Sequence, residues 1–170
     1  MPAGNTYEAI ATQTLGSAAT ITFSSIPQTY TDLVLVVNGS TTRGTTSDTI
    51  RIQFNGDTGS NYSSTNIVGN GTAASSSRYS NQTMPFVDGI RLTGTDFPLA
   101  SMIVYQLMNY SNTTTNKTVL ARGSGANYNV AAAVGLWRST AAITSIYLQG
   151  DTVANFAIGT TFSLYGIKNA

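Results

Sequence analysis

Period-two alternation of apolar and polar residues is the strongest constraint on this chain, and helical periodicity is nearly absent. In Ala19-Thr20-Ile21-Thr22-Phe23 the apolar side chains share one face and the threonines the other. Ile50-Arg51-Ile52-Gln53-Phe54 repeats the pattern, with Arg51 and Gln53 outward. Both read as half-buried antiparallel strands. Leu33 to Val37 and Met102 to Met108 are continuous apolar runs, which suit strands covered on both faces or short buried helices. Length and β-branching favour strand, above all for the first. Further strands are expected near Thr118 to Arg122, Val130 to Trp137, Ile143 to Gln149 and Phe156 to Ile167, the last with a bend at Gly159. These faces predict burial of Ile21, Phe23, Leu35, Val37, Ile52, Phe54, Val104, Ile146, Leu148, Phe162 and Leu164.

Asn38-Gly39, Asn55-Gly56, Asn70-Gly71 and Asp88-Gly89 are dipeptides suited to tight turns with positive φ, and each sits beside an apolar run. About eight to ten strands follow, in an all-β antiparallel sandwich of jelly-roll-like kind. The polar stretches Gly39 to Asp48 and Gly56 to Gln82 read as surface loops of one domain, because neither flank is a self-sufficient core. Residues 1–17 read as a short N-terminal extension of that single domain, 1–170.

Composition supports the sheet reading. Only 9% of the residues are charged, so solubility falls to Ser, Thr, Asn and Gly, which are poor helix formers. The chain is long enough to bury a core without disulfides, and it has no cysteine. The formal net charge is +1, and the basic residues are scattered with no cluster that tracks a phosphate backbone, so nucleic acid is not an expected partner. No apolar run has the length of a membrane span, and the first residues lack the pattern of a signal peptide, so synthesis in a cytosol is expected and no membrane partner is.

The absence of histidine removes the commonest general base and metal ligand, and with it Ser–His–Asp, Cys–His and His-based zinc sites. Gly123-Ser124-Gly125 reads as a turn, since no strand–loop–helix unit follows it. Paired carboxylates alone can hydrolyse glycosides, but Glu8, Asp32, Asp48, Asp57, Asp88, Asp96 and Asp151 mostly neighbour Gly, Thr or Pro, as turn and capping residues do. Asn55-Gly56-Asp57-Thr58-Gly59 offers oxygen ligands in a glycine-rich loop, yet calcium needs six to eight oxygens and a plain turn is favoured. The Asn-X-Ser/Thr triplets at Asn61, Asn81 and Asn112 reflect composition. No catalytic residue, metal or cofactor is expected. Tyr62, Tyr79, Tyr110 and Tyr128 lie in or beside loop-like stretches; Tyr62, Tyr79 and Tyr128 are candidate surface contacts for a sugar or a protein, against the alternative that their rings seal the ends of the sandwich. Trp137, after the small-residue strand AAAVGL, is expected in the core or between subunits.

The segments YEAIATQTLGSAATITFSSIPQTYTDLVLVV, IRIQFNGDTGSNYS and GTTFSLYGIKNA resemble small virion structural proteins of tailed bacteriophages, particularly phages of cyanobacteria. The resemblance implies a non-enzymatic accessory protein made in the host cytoplasm and carried in the virion, on the capsid as a decoration or cement protein or on the tail. It also implies a homo-trimer with other virion proteins as partners. The alternative is a receptor- or carbohydrate-binding tip that uses the 56–82 stretch on a host surface glycan. Few charges blunt the edge strands, and the weakly charged Val130 to Trp137 segment is a candidate interface.

Overall fold

β-Branched and aromatic side chains that favour extended backbone recur along the chain, with turn-forming Ser, Thr, Asn and Gly between them. The computed structural model describes residues 6–84, 86–95, 101–125, 128–151 and 154–168, and among these there is no α-helix. The strands are β1 (Tyr7–Thr14), β2 (Ile21–Phe23), β3 (Asp32–Gly39), β4 (Ser47–Phe54), β5 (Tyr62–Gly69), β6 (Ala74–Gln82), β7 (Phe86–Thr93), β8 (Ser101–Met108), β9 (Lys117–Ser124), β10 (Val130–Trp137), β11 (Ile146–Gly150) and β12 (Thr161–Ile167). They form two sheets, ordered β1-β12-β3-β8-β9-β10-β5-β6 and β2-β11-β4-β7, and neighbouring strands run antiparallel.

This order contains a jelly roll. β1, β12, β3 and β8 in one sheet interleave in sequence with β2, β11, β4 and β7 in the other, so the chain alternates between sheets as an eight-stranded jelly roll does. Two hairpin insertions, β5–β6 after β4 and β9–β10 after β8, extend the first sheet as a wing, which raises the strand number above the eight to ten expected. β7 lies beneath the wing, packed on β8, β9, β10 and β5.

The core fills the space between the sheets. Leu33, Leu35 and Val37 of β3, Ile50, Ile52 and Phe54 of β4, and Phe162 and Leu164 of β12 are all buried in it. Phe156 and Phe162 meet edge-on with ring centroids 4.8 Å apart. Every side chain expected to be buried is buried except Val104, which is half-exposed on the outer face of β8. The apolar run Met102 to Met108 has no polar residue except Gln106 to mark its phase; Ile103, Tyr105 and Leu107 are the inward set.

Within the expected N-terminal extension 1–17, Tyr7–Thr14 is a strand that pairs along β12 with Tyr7 opposite Ile167. Two further expectations are corrected. The polar 56–82 stretch is not one loop, because it carries the β5–β6 hairpin, turned at Asn70-Gly71 where Gly71 has φ +84°. Asp88-Gly89 is not a turn between strands, because it lies within β7, where residues 87–90 stand against Ile50 in an irregular stretch of the β4–β7 pairing. Asn55-Gly56 does form a turn, with φ +52° and +66° and the Asp57 amide donating to the Phe54 carbonyl at 2.9 Å. No helix long and apolar enough to cross a membrane occurs among the described residues.

Candidate functional site

The wing buries one face of its sheet and leaves the other open. Along β10, Ala131, Ala133 and Trp137 point inward and are buried, whereas Val130, Ala132 and Val134 point outward and are exposed. Pairing aligns these outward residues into rows. One row runs Val104, Arg122, Ala132, Ile67 across β8, β9, β10 and β5; the next runs Gln106, Leu120, Val134, Thr65. Among the described residues, six of the eight exposed large hydrophobic side chains lie on this face: Ile67, Met102, Met108, Leu120, Val130 and Val134. Val130 is 69% exposed and Ile67 59% exposed. Arg122 is the only charged residue at an outward position of these four strands. A protein surface ordinarily carries far more charge, so this face is an unusually apolar exposed patch.

Ala132 shapes the face. Its short side chain stands between Ile67 on β5 and Arg122 on β9, so the sheet surface is hollowed on both sides of that row. The two adjoining hollows measure about 500 and 540 Å³ and share Ile67, Arg122 and Ala132 as walls. Gly123 keeps β9 close to β8 at one end, since a Cβ there would lie 2.1 Å from the Met102 carbonyl oxygen.

The candidate residues from the sequence fall elsewhere. Tyr62 is not a surface contact: it is fully buried, stacked on Trp137 at 6.3 Å, and its hydroxyl donates to the Asp57 carbonyl at 3.2 Å. Burial pushes its pKa up to about 12. The alternation of β5 places it inward. Tyr110 is likewise buried, with its hydroxyl on the Pro27 carbonyl. Tyr79 is half-buried on β6, and Tyr128 is half-buried in the turn before β10. They sit on separate elements, and the glycan-binding alternative retains only these two of its three rings. Trp137 is a core residue.

The carboxylates among the described side chains are held by donors within the protein. Asp57 accepts from Trp137 Nε1 at 2.7 Å, Asn61 Nδ2 at 2.9 Å and the Gly59 amide at 2.8 Å. Burial alone would raise its pKa, but these donors outweigh burial and hold it below the ordinary value. The loop 55–59 is thus tied to the core by its only carboxylate. Asp48 and Asp151 meet on Arg43, at 2.9 and 3.5 Å, and Arg51 also binds Asp151. Burial raises the Asp48 pKa against the pull of Arg43 and Thr41. The Asp48 side chain is 0% exposed and that of Asp151 19%, and through Arg43 the pair pins the 40–46 loop to β4. Sequence reading missed the pair because its members are a hundred residues apart and meet only through β11 pairing with β4. Among the described residues no group of three or more metal-ligating side chains occurs.

No family model, curated protein or solved structure matches the chain. The functional reading therefore rests on the residues and on the face that they build.

Proposed function

We propose that this protein is a non-enzymatic structural component of a tailed-phage virion, an accessory of the capsid or tail that works by packing the outer face of its wing against neighbouring subunits. The observation that carries the reading is the outer face of β8, β9, β10 and β5, where exposed Ile67, Leu120, Val130 and Val134 surround a single charge. Four strands of eight residues give a projected area of roughly 19 by 26 Å, or about 500 Å². Side-chain relief adds to that projection, which brings the face towards the ~800 Å² that one partner contributes to a standard stable interface. The virion setting comes from the resemblance of the segments around Tyr7–Val37, Ile50–Ser63 and Gly159–Ala170 to phage structural proteins. Copies of the chain assemble as a trimer through their strand edges, which carry few blocking charges.

The test uses particles assembled with a tagged chain. Wild-type chain should be incorporated, and Leu120→Asp, a change at an exposed position, should be folded but excluded. Equal incorporation of the two would overturn the reading.

A further inference from the structure

We propose that the wing face docks an extended segment of a different protein, apolar on the side that meets the face and presenting one carboxylate to Arg122. The inference rests on the assembly reading and names the chemistry of the partner at the same surface.

Arg122 stands in register between Val104 and Ala132, on the wall common to both hollows. Among the described residues it makes no hydrogen bond or ion pair, and the outward positions of the four strands hold no acid. Covering the face removes water from the guanidinium, and a buried cation without an acceptor is strongly destabilising. The occupant must therefore bring the acceptor.

A second copy packed face to face does not bring one, because the same four strands of that copy present no acid. The five carboxylates whose side chains are described are all engaged: Glu8 with Lys168 and Tyr30, Asp32 with the Asn109 amide, Asp48 with Arg43, Asp57 with Trp137, and Asp151 with Arg43 and Arg51. Packing two such faces together would also place two guanidinium groups in one apolar interface. Charge complementarity points to a different chain.

The relief of the face states the pattern. The hollows lie on either side of the Arg122–Ala132–Ile67 row. In an extended segment, residues i, i+2 and i+4 share a side at intervals of about 6.6 Å. An apolar residue, an acid and a second apolar residue at that spacing would fill one hollow, meet Arg122 and fill the other.

Two capped peptides serve as probes: one has leucines two positions to either side of a central glutamate, and its twin has glutamine in the centre. Methyl spectra of the full chain should show the glutamate peptide shifting Ile67, Leu120 and Val134. It should bind about ten-fold more tightly than the twin, and Arg122→Gln should erase the difference. Absence of a glutamate preference, including absence of binding, overturns the proposal. So does self-association of the wild-type chain through this face that tightens in Arg122→Gln, because the occupant is then a second copy. Particle incorporation separates the two readings. If Leu120→Asp is excluded while Arg122→Gln enters as wild type does, the assembly reading stands and the carboxylate falls. If both enter, the assembly reading falls with it.

Discussion

At Asp57 one carboxylate satisfies the buried indole of Trp137, the Asn61 amide and the Gly59 backbone, so a residue that reads as loop surface stabilises the core. Asp57→Ala leaves those donors without an acceptor and should cost about 1–3 kcal/mol near neutral pH. Because the folded pKa is lowered, the folded state holds the proton less readily than the unfolded chain. The ionic part of the contribution is then fully present above the unfolded carboxyl value and is lost as pH falls through the folded one. Urea midpoints of wild type and Asp57→Ala should therefore converge as pH drops below about 4. Phe54 and Leu120 make a second contrast at this scale. Phe54 is packed against Trp137 with centroids 5.6 Å apart, and truncation to Ala should cost about 3–5 kcal/mol. Leu120→Ser on the open face should change stability by less than about 0.5 kcal/mol. Thermal melts of the two variants check both; a large loss in Leu120→Ser would place that side chain in the core.

At the scale of elements, the wing depends on the close approach of β9 to β8. Gly123→Ala puts a methyl against the Met102 carbonyl, which is backbone and cannot swing aside, so this join should lose about 1–3 kcal/mol in denaturant titration. How far the elements were legible follows from side-chain phase. Val130–Trp137 was bounded correctly because a run of small and β-branched residues ends at a tryptophan and is flanked by polar turns. β6 was missed because Ala-Ser-Ser-Ser-Arg-Tyr-Ser-Asn-Gln has no apolar face: only β5 pairs with it, and most of its side chains are exposed. β1 was missed for a related reason, since its alternation is broken where the register shifts between Ala9 and Ala11. The open apolar face was legible only in part. The weak charge of β10 marked that strand, but Ile67 and Leu120 join it through pairings that no local pattern announces.

For the whole molecule, the eight strands of the jelly roll hold the two sheets together, and the two inserted hairpins widen one sheet into the open apolar face that β8 begins. Light scattering should give a particle of three times the 17.8 kDa chain, and a monomer persisting at high concentration would remove the trimer from the proposal. The pairing of β1 with β12 also has a temporal side. The two strands lie about 150 residues apart in sequence yet are neighbours along their whole length. At a synthesis rate of about 5–20 residues per second, the earlier strand waits roughly 8–30 s for the later one. Until then β3 has only one neighbour, β8, and Leu33, Leu35 and Val37 lack the cover of Phe162 and Leu164. The nascent chain thus leaves one edge of β3 and its apolar side chains open until the last strand emerges, a state prone to association with other unfinished chains.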